Sequence, residues 1–103
     1  MAVVVVFSSR RTDHHVDEYG SMSARMADLA REQPGFISMT SVRDAVTREG
    51  VTVAYFEDDE SVRHWKAHVE HQEAQRRGIT DFYEEYRVTV ATVQRDYSWS
   101  ADR

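Results

Sequence analysis

The sequence predicts an α+β domain, a ferredoxin-like βαββαβ sandwich with one antiparallel sheet and both helices on the same face. Three observations carry this. Four short runs are rich in β-branched and aromatic residues. Two longer runs repeat apolar residues every three or four positions. Their order, strand, helix, strand, strand, helix, strand, makes two βαβ halves.

Val3-Val4-Val5-Val6-Phe7 is β-branched and gives a buried first strand that ends at Ser8-Ser9. Arg10-Arg11-Thr12-Asp13 is a polar connection in which Thr12 or Asp13 is expected to cap a helix. Asp17 and Glu18 suit a first helical turn, and Tyr19, Met22, Met26, Leu29 and Ala30 give that helix one apolar face. Pro34-Gly35 ends it. Phe36 to Arg43 and Val51 to Phe56 read as two strands joined at a turn marked by Glu49-Gly50, and the short link predicts a hairpin. Asp58, Asp59 or Ser61 can cap the second helix, whose apolar stripe is Val62, Trp65 and Val69. Gly78 fits its C-terminal cap, and Ile79, Phe82, Tyr83 and Tyr86 suggest one more short helical turn. Tyr86 to Arg95 alternates as a last strand, followed from about residue 96 by a polar tail that only Tyr97 and Trp99 could anchor.

The 103 residues make one domain with a small core. Several strands look apolar on both faces, and the chain has no third layer to cover them. A second copy packing sheet against sheet is the expected solution. The net charge of -5 argues against nucleic acid and anionic membrane as partners. Without cysteine there is no disulfide, thiolate metal site or cysteine nucleophile. The apolar run Ala2 to Phe7 is too short to span a bilayer and has no basic leader, so a cytoplasmic protein is expected.

Candidate chemistry concentrates near the second helix. His64, His68 and His71 follow one another at steps of four and three, a spacing that could hold a divalent metal with one open position or could simply be a solvated stripe. Phe82, Tyr83 and Tyr86 form an aromatic cluster beyond it, and polar groups beside aromatic surface are ordinary components of a ligand pocket. The Tyr83 and Tyr86 hydroxyls could donate to a carbonyl or oxyanion. Trp65 could stack on a planar ligand or belong to the core. Arg10 and Arg11 could grip a carboxylate or propionate. Nothing supports nucleotide binding or serine hydrolase chemistry.

Pro34-Gly35-Phe36, Val53-Ala54-Tyr55-Phe56, Trp65-Lys66, Glu70-His71, Ala74-Gln75, Gly78, Tyr83, Tyr86 and the closing Val93-x-Arg95 resemble, in this order, the antibiotic biosynthesis monooxygenase domain. The resemblance runs from about Val3 to Tyr97. It implies a homodimeric α+β barrel and an oxygenase of aromatic, phenolic or quinone-like metabolites that needs no organic cofactor. It implies His71 as base, Trp65, Phe56 and Phe82 as walls, and Tyr83 or Tyr86 as polar contact. The family also includes heme-degrading enzymes, which typically use an asparagine near the start of the chain and a pocket tryptophan. This chain has no asparagine, and Phe56 stands where near relatives often have tryptophan. Weak or no heme degradation is therefore expected. Two alternatives stay open: a non-catalytic small-ligand or stress protein on the same fold, and a heme or metal protein using the helix histidines.

Overall fold

The computed structural model describes residues 1–14, 16–76 and 82–101, the side chains of 70–76 excepted. It contains β1 (Val3–Arg11), α1 (Val16–Glu32), β2 (Phe36–Arg43), β3 (Glu49–Phe56), α2 (Asp59–Arg76) and β4 (Tyr83–Thr92). The sheet has the order β2-β3-β1-β4 with every neighbouring pair antiparallel. This is the expected ferredoxin-like sandwich, and β2 and β3 form the expected hairpin.

Several element ends differ from expectation, each for a tertiary reason. β1 continues through Ser8 to Arg11, because it is central and its polar half pairs with Glu49 and Gly50 on one side and with Tyr86 and Glu85 on the other. Glu49 and Gly50 accordingly open β3 instead of forming the turn. The turn is Asp44 to Arg48, closed by Arg48 N–H donating to the Asp44 carbonyl at 2.9 Å. The Asp44 carboxylate also accepts the Val46 and Thr47 amides, which hold its pKa below the usual range. α1 starts at Val16, so neither Thr12 nor Asp13 occupies its cap, and the preceding residue lies outside the described ones. α2 is capped by Asp58, whose Oδ1 accepts from the Ser61 amide and hydroxyl, both at 2.8 Å. Tyr83 and Tyr86 belong to β4, not to a helical turn, and Gly78 and Ile79 lie outside the described residues.

Between α1 and β2 the chain reverses at Gly35, whose φ is +85°. The Gly35 carbonyl accepts the Glu57 amide at 2.7 Å, and a β-carbon there would collide with Ser61. Glycine meets both demands without strain.

Register divides the sheet into two faces, because directly paired residues point the same way. On the helix side lie four cross-strand rows. They are Thr92, Val3, Phe56 and Phe36; Val90, Val5, Ala54 and Met39; Val88, Phe7, Thr52 and Ser41; and Tyr86, Ser9, Gly50 and Arg43. The core occupies the first two: Val3, Val5, Ala54 and Phe56 are buried with Val62 of α2, and Phe36, Met39 and Trp65 pack against them. The opposite face presents Val4, Val6, Val51, Val53 and Tyr55, all only half-buried.

Candidate functional site

The third and fourth rows differ in chemistry from the core rows. Small or polar residues, Ser9, Gly50, Thr52 and Ser41, replace the branched ones, and the Ser41 and Thr52 hydroxyls pair at 2.6 Å. Over this polar floor the chain gathers aromatic rings. Phe7 meets Tyr83 edge-on at 5.4 Å and stacks with Tyr86 at 5.7 Å between ring centroids. Tyr19 of α1 lies 5.6 Å from Tyr83 and 5.9 Å from Phe82. Such tilted and edge-on arrangements suit the ring quadrupoles. The three sequence candidates Phe82, Tyr83 and Tyr86 are thus brought together, joined by Phe7 and Tyr19.

Tyr83 and Tyr86 are three apart, so strict alternation would place them on opposite faces of a strand. Both nevertheless meet Phe7. The reason is a β-bulge: Arg10 pairs with Glu85 while Arg11 pairs with Tyr83, leaving Glu84 as an extra residue in β4. Glu84 is held from two directions, by Arg10 Nε at 2.7 Å and by Arg48 Nη1 at 2.8 Å. The same Arg48 atom donates to the Arg11 carbonyl at 2.9 Å, so the bulge, β1 and the β2–β3 turn are tied together.

The hydrogen bonds from Arg10 and then Arg48 hold the Glu84 carboxyl below its usual range. Its folded pKa is depressed, so its contribution is fully present above the unfolded value of about 4.3 and fades as pH falls through the folded value. Glu84→Gln should therefore lower Tm near neutral pH and converge with the wild type in acid, as thermal melts across a pH series would read. A constant difference down to low pH would contradict this assignment.

Arg43 completes the cluster. Its guanidinium reaches across Gly50 to donate from Nη2 to Ser9 Oγ at 2.8 Å and to the Tyr19 hydroxyl at 3.0 Å. Nη1 donates to the Arg48 carbonyl at 2.7 Å. Gly50 makes this possible, since a β-carbon there would sit 2.7 Å from the Arg43 Cζ. Arg43 and Arg11 both lie near the Tyr19 ring, 5.3 and 5.7 Å from its centroid.

The other candidates lie elsewhere. Phe56 and Trp65 contact each other at 5.5 Å in the core rows, where Phe56 is 0% exposed. The Trp65 Nε1 is buried with no hydrogen-bond partner among the described residues. Val3, opposite Phe56, and Ser9, opposite Tyr86, are six residues apart in β1, so the two clusters are separated by about 20 Å along the strand. Arg10 is engaged with Glu84 and, at 3.7 Å, with Glu85. His64 and His68 are exposed on α2, and His64 Nε2 lies 3.9 Å from Glu60. His71 belongs to α2, but its side chain lies outside the described residues, as would any three-histidine site that includes it. Among the described residues no group of three His, Cys, Asp or Glu is placed to hold a metal ion.

Sequence reasoning missed Arg43 and undervalued Tyr19, which it assigned to a generic apolar helix face. The available signal was Gly50, a residue out of place in a strand interior, which often marks close approach of another group. A hollow of about 460 Å³ lined by Ser8, Ser9, Glu49, Gly50, Glu85, Tyr86 and Arg87 lies along the same strand ends. It is open and carries charges of both signs, and Arg43, Tyr19 and Phe7 do not line it. The helix-side cluster is the better candidate because rings, hydroxyls and a cation converge there. No helix of the described residues is long and apolar enough to cross a membrane.

Comparison with known proteins agrees with this architecture. The chain is 43% identical over 91 residues to the uncharacterized protein YqjZ of Bacillus subtilis (strain 168), an alignment spanning 88% of this chain and 78% of that one. A single-substitution mutant of SnoaB from Streptomyces nogalater, described as a cofactor-independent oxygenase, superposes with a TM-score of 0.73 at 21% identity, covering 92% of this chain and 95% of its own. Rv0793 from Mycobacterium tuberculosis superposes with a TM-score of 0.79 at 16% identity, covering 95% of this chain and all, 100%, of its own. These likenesses establish the fold. The sequence model of the family described as antibiotic biosynthesis monooxygenase matches residues 1–77, and the chain belongs to that family.

Proposed function

We propose that this protein is a small oxygenase that acts on an aromatic, phenolic or quinone-like metabolite without an organic cofactor. The observation that carries the reading is the convergence of Phe7, Tyr19, Phe82, Tyr83 and Tyr86 on the helix side of the sheet, with hydroxyls and Arg43 among the rings. Family membership and the likeness to SnoaB support it. In this reading the rings hold a planar substrate, Tyr83 or Tyr86 donates to its oxygen, and His71 removes a proton from a phenol. The resulting anion is electron-rich enough to react with dioxygen. Where the carbon attacked is a ring methylene, one oxygen atom becomes the new carbonyl and the other leaves as water. The substrate supplies all the electrons, so no external reductant enters.

Oxygen uptake by the purified protein, with phenolic and hydroquinone substrates and no added flavin or metal, tests this. Enzyme-dependent uptake with one dioxygen consumed per carbonyl formed is expected. Uptake no faster than in buffer across the panel, between mildly acidic and mildly alkaline pH, would defeat the proposal.

The working form is proposed to be a homodimer joined through the sheet. The half-buried Val4, Val6, Val51, Val53 and Tyr55 share the face opposite the helices, and Tyr97 and Trp99 of the tail are 85% and 86% exposed. Val53→Asp should dissociate the dimer, because an interface would leave the carboxylate buried and unpaired. Sedimentation velocity reads the result, and a wild-type monomer at micromolar concentration would overturn it. Val90 does not belong to this face, since it shares the helix-side row of Val5.

A further inference from the structure

We propose that Arg43 is the specificity-determining residue of this site and that the substrate carries a carboxylate which pairs with it. The inference rests on the oxygenase reading for the location of the substrate and adds the chemical class. Three observations lead to it.

The first is charge. Arg10, Arg31, Arg48 and Arg63 each meet a carboxylate, on Glu84, Asp28, Glu84 and Asp59 respectively. Arg43 and Arg11 meet none among the described residues, and unlike Arg25, Arg87 and Arg95, which also meet none but are exposed, they are half-buried. The partners of Arg43 are the Ser9 and Tyr19 hydroxyls and the Arg48 carbonyl, and that of Arg11 is the Thr12 carbonyl. Two guanidinium groups therefore flank the Tyr19 ring without a counter-charge. A guanidinium has five N–H donors, and three bonds leave Arg43 two for a ligand.

The second is placement. Arg43 does not extend from the sheet edge into water. It lies across Gly50 toward Ser9, which is buried, and so reaches the row that ends at Tyr86. A side chain of this length, held by three neutral partners over a glycine, is a fixed cation and not a free surface one.

The third is the neighbouring apolar shelf. Val88 and Val90 of β4 lie on the helix side beside Phe7 and Val5, yet they are 49% and 47% exposed. Together with Tyr86, the cross-strand partner of the Ser9 that Arg43 grips, they form an exposed apolar strip on the same face of the sheet as that cation. That pairing suits a planar ring bearing an anionic group, and carboxylate is the anion a guanidinium recognises with directional hydrogen bonds.

The test compares binding of hydroxynaphthoate with that of its neutral amide, hydroxynaphthamide, by calorimetric titration of the full chain. The wild type is expected to prefer the acid by about tenfold or more, as a charge-assisted hydrogen bond commands. Arg43→Gln should bring the two affinities together. Gly50→Ala, which displaces the guanidinium without removing it, should reduce the preference in the same direction and keeps the test available should Arg43→Gln fail to fold. Equal binding of acid and amide by the wild type, or an undiminished preference in both variants, would overturn the assignment while leaving the oxygenase site standing. Binding of neither compound would overturn both.

Discussion

Replacing Phe56 by alanine should cost about 3–5 kcal/mol, the usual loss for deleting a buried phenylalanine ring. Phe56 is the largest fully enclosed side chain among the described residues, and its ring meets Phe36 at 5.7 Å and Trp65 at 5.5 Å. Its β-sheet neighbours Val3 and Phe36 cannot refill the space, because each is held in register by its own strand. A small domain has about 5–15 kcal/mol of stability in all, so the loss is a large share of it. Tm should fall by roughly 12 °C or more, at about 4 °C or more per kcal/mol for a chain of this size. A melt showing a change of only a few degrees would mean that the cavity collapses or that the ring is less enclosed in the assembled protein.

The largest effect on activity is expected at His71. As the base it should work only when its imidazole is neutral, so the rate should rise with pH as that imidazole loses its proton and then level off. His71→Ala should lower the rate by roughly a hundredfold or more, with little change in Tm. His64→Ala and His68→Ala should be nearly silent, since both side chains are exposed. If all three variants instead lost activity together with a stoichiometric metal, the histidines would be ligands and the base assignment would fall. Equal activity in all three would move the proton-accepting role away from the helix and make Tyr83 and Tyr86 the next residues to replace.

The sequence shows clearly what depends on local pattern. The valines of β1, the hairpin, the stripe of Val62 and Trp65 and the order of elements are legible because their apolar period matches the structure. Less legible is whatever depends on pairing. Ser8 to Arg11 look like a loop in isolation and become strand only because β1 has a partner on each side. The aromatic candidates Phe82, Tyr83 and Tyr86 could be named from sequence, but not the face they share. That face is set by the bulge at Glu84, which no alternation rule reveals. Arg43 was invisible for a related reason, since it sits at a strand end and acquires its role through Gly50 on the neighbouring strand and Ser9 beyond it.

The bulge also bears on how chain length varies within the family. One extra residue in β1 between Arg10 and Arg11 would pair with Glu84, abolish the bulge and let β4 alternate evenly from Tyr86 back to Tyr83. Tyr83 would then turn to the face occupied by Glu85 and leave Phe7 and Tyr19. A single-residue insertion at the end of the first strand is therefore not a neutral loop-length difference. In a relative aligned with this chain, it would relocate one hydroxyl from the helix layer to the opposite surface with every side chain conserved. Two sequences that look equivalent column by column could in that way present different arrays to a ligand, and such gaps are where functional divergence should be sought first.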